Sequence, residues 1–558
     1  MNEENCGVST QSFEIEDIPF SKIPSHSRIF LEYQQNPIAL KKFYPSAVSS
    51  HTEIQQNVES VLQNYEVNRD LLCEALRDIN ERFGVSEKVF SNISLLNHED
   101  CVAVVTGQQA GLFTGPLYSI YKALTAIKLS ECLRMRGMKA VPVFWIATED
   151  HDFAEVSSAF IMNNKGRLTQ LKNEPEGCYE GLPVGLVKLD ESIKQTIETL
   201  FDELPKTDFT DDLQDLIQTC WIQGISYGEA FGRMMNRLFG NYGLILLCPM
   251  NRVLKQLASP IYAKAVEKSD EIVKSLLIRD QELLTQGFHN QVVIPENYFP
   301  IFWQSGDGKR HALKKMEENK YQTKDSEQIF TKSDILDLIK SEPFRFSPSV
   351  VLRPVVQDYL LPTVCYFGGA AEIAYFAQAE RIYSVLHRPV TTILHRQSFT
   401  FVTSKQRRIL KKYDLEFQNL FTGLDEILSI VIEKHISPDV SRLFAEAEEE
   451  INLQLNRLDQ EFSKIDPSLA ENLAKRRRKI MYHISALRRK YHYIQAQKHQ
   501  IITRRLEYLF DSLLPLKHLQ ERTLNVCTFL NSYGLSFIDM IYSIIDLENR
   551  DHRVIYLD

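Results

Sequence analysis

The chain has 558 residues, too many for one simple core, and its length points to roughly two to four structural units. Hydrophobic residues make up 44% and charged residues 25%, the balance of an ordinary globular protein with a large core and a wet surface. The net charge of −9 argues against a general nucleic-acid coat, and no apolar run reaches the roughly 18–20 residues that span a bilayer. The nine cysteines include no C-x-x-C pair, which speaks against a disulfide framework and for a reducing compartment. The start, MNEENCGVST, lacks the basic and apolar regions of a signal peptide, so the expected location is cytoplasmic.

Residues 52–82 place Val58, Val61, Leu62, Leu71, Leu72 and Leu76 at helical spacings with no proline, which predicts a helix. Cys101–Thr106 is a short β-rich run, 107–115 a loop, and Pro116 opens a helix to about Arg136. Gly137 ends it. Ala140–Ala147 (AVPVFWIA) has the unbroken apolarity of a strand buried on both faces. Residues 157–228 mix short strands, turns and acidic helices and read as a first insertion. Leu244–Cys248 is another apolar strand, followed after Pro249 by a helical pattern to about Leu284. Residues 288–345 read as a second insertion, with β-segments NQVVIPE and YFPIFWQ before a turn at Ser305–Gly308. Thr363–Phe367 precedes a Gly-Gly turn and a helix over Ala371–Leu386, and Val390–Leu394 adds a strand.

Short apolar strands alternating with helices predict an α/β fold with a largely parallel, doubly wound sheet. The core is expected from 1–156, 229–287 and 346–403, the insertions from 157–228 and 288–345, and a helical domain from 404–558. In that last part Ile451, Leu455, Leu458, Phe462 and Ile465 are spaced as a coiled-coil seam. Asp466-Pro467-Ser468 breaks it, and Ile480, Ile484, Leu487, Tyr491 and Ile494 form a second seam. Two such helices predict an antiparallel hairpin, packed on itself, on a second subunit, or on both.

Three constellations carry polar chemistry. The first is Thr106-Gly-Gln-Gln-Ala-Gly-Leu-Phe-Thr-Gly-Pro116, with Gly107, Gly111 and Gly115 between a strand and a helix. Glycine permits close backbone approach, and a helix start receives phosphate or carboxylate, with Gln108, Gln109 and Thr114 adding polar side chains. The alternative is a glycine-rich turn needed only for packing. The loop is neither a Walker A sequence nor a dinucleotide fingerprint.

The second is Glu149-Asp150-His151-Asp152, after the strand ending at Ala147. Ligands of open α/β sheets bind at the carboxyl ends of strands, and carboxylates beside an imidazole suit acid/base or amine-binding work. A solvated acidic loop is the alternative, and no metal site is expected because adjacent residues do not converge on one ion. The third joins Arg353, Gln357 and Asp358 to Gly368, Gly369, Glu372 and Tyr375. Arginine grips carboxylate or phosphate bidentately, whereas Arg353 equally suits a structural ion pair and Glu372 a plain helix cap. The basic runs Lys405–Lys412, Lys475–Lys479 and Arg488–Lys490 read as solvated helix faces rather than a nucleic-acid surface.

These motifs together resemble the BshC family, the cysteine-adding enzymes of bacillithiol biosynthesis. The resemblance rests on GQQAGLFTGPLYSIYKALTAIKL (107–129), VPVFWIATEDHDFAEV (141–156), SPSVVLRPVVQDYLLP (347–362), GGAAEIAYFAQ (368–378) and LQERTLNVCTFLNSYG (519–534). Departures are Leu514-Pro-Leu-Lys-His518, where the pattern leads one to expect a glycine-containing turn, and Ser349 and Ala371, where asparagine and glycine are expected. The resemblance implies a Rossmann-like core with two connecting insertions and a C-terminal coiled coil that supports a homodimer. It implies a ligase that joins cysteine to the amine of glucosaminyl-malate, with ATP or another adenine nucleotide as the suspected activator. Neither the histidine-glycine motif nor the lysine-serine loop of class I synthetases is present. Under this reading His151, with Asp150 and Asp152, handles protons, and Gly107, Gln108, Gln109, Gly111, Thr114, Gly115, Tyr118, Glu149, Arg353, Gln357, Asp358, Gly368, Gly369, Glu372, Tyr375 and Arg396 bind substrate or nucleotide. The alternatives are a non-catalytic metabolite-binding scaffold and a ligase with another amine acceptor.

Overall fold

A computed structural model describes residues 13–177, 179–317, 319–324 and 328–557. Cys6 and Cys178 lie outside the described residues; the other seven cysteines are free thiols. The chain divides into two compact units, one of Asp17–Phe399 with Glu521–Arg553, the other of Thr400–Gln520 with the two chain ends.

The first unit is built on five parallel strands: β1 (Val102–Gln108), β2 (Ala140–Ile146), β3 (Ile245–Leu247), β4 (Thr363–Gly368) and β5 (Thr392–His395). Their spatial order is β5-β4-β1-β2-β3. Read from the other edge this is 3-2-1-4-5, the doubly wound order whose direction reverses between β1 and β4. β2 is buried along its whole length, as its apolar run requires of a strand covered on both faces. Gly107 allows the close fit there, since a Cβ at that position would lie 2.7 Å from the Trp145 carbonyl oxygen.

Helix α1 (Tyr118–Met135) follows β1, α2 (Arg252–Glu267) follows β3, and α3 (Arg353–Leu360) and α4 (Ala370–Leu386) flank β4. The helix expected over 52–82 is interrupted: a helix at Val58–Gln63 ends at Asn64, and Asn68 caps a new one at Arg69–Phe83 by accepting from Leu71 N–H. The pattern after Pro249 likewise becomes two helices, broken at Lys268.

The first insertion carries an antiparallel pair, Ser158–Met162 with Leu168–Lys172, and two amphipathic helices. The second folds Tyr298–Gln304, Arg310–Glu317, Lys320–Thr323 and Ile329–Thr331 into a sheet completed by Phe346–Pro348. The Ser305–Gly308 turn is present, closed by Gly308 N–H to the Ser305 carbonyl at 3.0 Å. NQVVIPE is not a strand; residues 290–296 are irregular, and only the YFPIFWQ segment pairs.

In the second unit Pro438–Ile465 and Pro467–Lys498 form the helical hairpin, with Asp466 capping the return helix through Ser468 N–H at 2.8 Å. Arg477 ties the two helices together through Asn452 and Asn456. The predicted seams are only partly covered. Leu455 is buried and Phe462 half-buried, but Leu458, Ile465, Ile480, Leu487 and Ile494 are exposed. No helix among the described residues is long and apolar enough to cross a membrane.

Candidate functional site

A cleft of about 660 Å³ opens at the carboxyl ends of β1 and β4, where the strand order reverses. Its floor is one polar network. The Lys122 ammonium, on α1, reaches the Gly107 carbonyl and Gln108 Oε1, each at 2.9 Å, and pairs with the Glu372 carboxylate on α4. Glu372 also accepts from Tyr366 O–H at 2.6 Å and from Gly369 N–H at 2.7 Å. Burial by itself would raise the Glu372 carboxyl, but Lys122, Tyr366 and the Gly369 amide hold it below the usual carboxylate range. Arg353 lies beside this network, donating to Tyr375 Oη at 2.9 Å and Gln357 Oε1 at 2.8 Å.

The wall beyond β2 is a second cluster. Gln109 donates to Asp150, and its own Oε1 is buried with no hydrogen-bond partner among the described residues. Arg310, brought in by the second insertion, places Nη1 3.4 Å from Asp150 Oδ1 and 3.2 Å from His151 Nδ1. It is fixed by the Pro348 carbonyl and Ser347 and stacks on Phe302, 3.8 Å from the ring centre. A guanidinium only donates, so this contact makes His151 Nδ1 the acceptor and leaves the ring proton on Nε2. Glu149 lines the same wall and forms a buried ion pair with Lys255 of α2. Glu155, also on the wall, has its carboxyl pushed up by burial and by Asp150 and Asp152.

At the other end stand Arg396, Arg522, Tyr118 and the start of α4 at Gly369–Ala371. Arg396 is 3% exposed; it is held by Glu521 at 2.7 Å, while its Nε has no hydrogen-bond partner among the described residues.

The fold thus gathers Gly107, Gln108, Gln109, Tyr118, Glu149, Asp150, His151, Arg353, Gly369, Glu372, Tyr375 and Arg396 into one cleft. The remaining candidates are placed elsewhere, and their expected ligand contacts are corrected accordingly. Asp152 caps the short helix Phe153–Val156 through Glu155 N–H at 3.2 Å and does not line the cleft. Gly111, Thr114 and Gly115 are buried beneath Asn525, whose side-chain amide donates to the carbonyls of Leu112, Phe113 and Gly115. The start of α1 is covered as well, since Leu117 N–H is bound to the Leu524 carbonyl. Those glycines therefore serve packing: a Cβ on Gly111 would lie 2.8 Å from Gly115 Cα, and Gly115 has φ +70°. Gln357 is buried beneath Arg353. Asp358 is bound by Tyr383 and Thr391, which ties α3 to α4 and to the segment before β5. Gly368 is a packing position, where a Cβ would meet Glu372 Cβ at 2.9 Å.

Lys122, Arg310, Tyr366 and Arg522 were not legible as site residues, nor was Asn525 as the cover of the glycine loop. Only Lys122 carried a signal: α1 is buried on nearly every side, and a lysine inside such a helix must be paired.

The description "Bacillithiol biosynthesis BshC, N-terminal Rossmann-like domain" matches residues 13–397, and its C-terminal coiled-coil counterpart matches 399–557. The chain belongs to the BshC family. Relatives named "Putative cysteine ligase BshC" include one from Koribacter versatilis, 33% identical over 543 residues, covering 96% of this chain and 99% of that one. Another, from Salinibacter ruber, is 32% identical and covers 94% and 96%. A solved structure titled as a putative arginyl-tRNA synthetase from Campylobacter jejuni aligns at 11% identity over 86% of this chain and 97% of that one, with a TM-score of 0.22, too loose to bear on the fold.

Within this BshC chain the departures noted in the sequence lie beside α3, in the first turn of α4 and in the segment 514–518. Ser349 and Ala371 line the cleft, and Ser349 anchors the start of α3 by accepting Arg353 N–H at its carbonyl, 2.8 Å away. Leu516 and Lys517 adopt left-handed backbone, with φ of 54° and 65°, without any glycine.

Proposed function

We propose that this BshC-family ligase joins the carboxyl group of cysteine to the amine of glucosaminyl-malate, forming the amide of bacillithiol. The observation that carries the reading is the convergence of Gln108, Asp150, His151, Arg353, Glu372 and Arg396, from five segments of the chain, on one cleft at the switch point. Relatives at about one-third identity over nearly the whole chain bear the name of a cysteine ligase.

Amide formation from a free carboxylate is uphill in water, so the carboxyl group needs a leaving group, which ATP or another adenine nucleotide would supply when bound. The cleft suits its anionic part: Arg396 has a buried Nε with no hydrogen-bond partner among the described residues, and Arg522 and the start of α4 line the same cleft. Arg353 holds a substrate carboxylate or phosphate, while Gln108 and Glu372 position polar groups of the acceptor. Gln109 Oε1 offers a buried acceptor to an incoming N–H.

His151 accepts or relays the proton that the sugar amine loses as it attacks. With Arg310 on Nδ1 the ring faces the cleft as a donor. Acceptance at Nε2 requires the other tautomer, with Nδ1–H directed to Asp150, 3.5 Å off, in place of the Arg310 contact.

The hairpin supports a homodimer, because Leu458, Ile465, Leu487 and Ile494 are exposed apolar side chains on its two helices. The free thiols suit the reducing cytoplasm. The test is to incubate the purified protein with cysteine, glucosaminyl-malate and different nucleotides and to follow amide formation by mass spectrometry. Binding of either substrate without product under every nucleotide would favour a non-catalytic scaffold, and product only with another amine would reassign the acceptor.

A further inference from the structure

Lys122 stands at the centre of the cleft floor, yet its ammonium has nothing left to offer a ligand. It is 2% exposed, and its three hydrogens meet three acceptors: the Gly107 carbonyl, Gln108 Oε1 and the Glu372 carboxylate. Two of those acceptors end β1 and the third begins α4, so one side chain bridges the two sides of the switch point. Each contact also orients its partner. With Oε1 of Gln108 taken, the amide nitrogen turns outward to Tyr118 Oη at 3.3 Å. With one Glu372 oxygen shared by Lys122 and Gly369 N–H, the other accepts from Tyr366 and, among the described residues, has a second lone pair left for a ligand.

We propose that Lys122 is a positioning residue for the ligation reaction: it holds Glu372 as an oriented carboxylate that receives an ammonium or amine group of the substrate. This rests on the ligase reading above. The groups facing Glu372 are Lys122 from α1, Arg353 from α3, Tyr366 from β4, Tyr375 from α4, and Tyr118 and Arg396 at the cleft end. Lys122 is the only cation among them in contact with the carboxylate. Without it this half-buried carboxyl takes up a proton at higher pH and ceases to bind an ammonium.

The experiment compares full-length wild type, Lys122→Met, Glu372→Gln and the double variant, following amide formation from about pH 6 to about pH 9. Calorimetry with cysteine and with glucosaminyl-malate, each alone, runs over the same range. In Lys122→Met the acid limb of kcat/KM should move up by at least about one pH unit, and KM for one substrate should rise about tenfold at neutral pH, recovering as pH rises. In Glu372→Gln the same KM rises without pH dependence, and adding Lys122→Met changes little further. The double variant removes both buried charges, so it reports even where Lys122→Met fails to fold. A uniform fall in kcat with the wild-type pH profile, or fully additive effects in the double variant, overturns the proposal and makes Lys122 merely structural. If wild type makes no amide but binds a substrate, the ligase reading fails and the calorimetric pH dependence still decides the role of Lys122. Binding of neither substrate overturns both.

Discussion

Asn525 Nδ2 lies 2.8 Å from the Gly115 carbonyl and within 3.2 Å of those of Leu112 and Phe113, so one amide closes a loop that begins 413 residues earlier in the chain. These carbonyls are buried, and among the described residues Leu112 accepts one further bond, from Gly115 N–H at 2.9 Å. Asn525→Ala should therefore destabilise the first unit by about 2 kcal/mol, the cost of stranding buried acceptors. Denaturant unfolding checks this, and a loss under about 0.5 kcal/mol would mean that water replaces the amide. Gly115→Val should lower the melting temperature at least as much as it weakens ligand binding, because φ +70° and the buried surroundings make it a packing position.

His151→Asn should keep fold and substrate affinity but lose roughly a hundredfold or more in turnover at neutral pH, the usual contribution of a positioned proton acceptor. Mass-spectrometric assay of the amide against pH is the measurement. Near-normal turnover with an unchanged profile would reduce the Asp150–His151 pair to substrate binding or structure.

Acid should destabilise the protein through His552. Its ring is fully buried, 2.7 Å from Ser398 Oγ; burial pushes it down to about 4, with Glu521 opposing and Arg396 and His26 reinforcing the shift. Above the unfolded value near 6.5 the ring is neutral in both states and contributes no pH dependence. As pH falls from there toward about 4, only the unfolded chain takes up the proton, and stability declines by about 3 kcal/mol in total. His552→Gln should flatten the difference in stability between about pH 7 and about pH 5. An unchanged slope would assign the acid sensitivity to other groups.

Light scattering should find the full-length chain as a dimer at micromolar concentration, and removal of the hairpin around residues 440–505 should leave a monomer. The exposed Leu458, Ile465, Leu487 and Ile494 supply the surface for the association. A monomeric full-length chain ends the dimer proposal.

The architecture was legible because its signals are local. A strand buried on both faces spells itself as an apolar run, as Ala140–Ile146 does, and a hairpin's seams repeat within each helix. The turns after β1, β2 and β4 were legible for the same reason, and with them the positions of Gln108, Asp150, His151 and Glu372 along the chain. Residues 290–296 are irregular because a short apolar run such as Val292-Val293-Ile294 supplies β-propensity but not a hydrogen-bonding neighbour. What the tertiary structure alone decided is which polar groups meet. Lys122 pairs with Glu372 across 250 positions, and Arg310 approaches His151 across 159. The same packing withdrew Gly111, Thr114 and Gly115 from the cleft by laying Asn525 over them. Chain spacing cannot encode such pairings, because the strand order reverses at the switch point and brings together segments whose separation in sequence is set by the insertions between them.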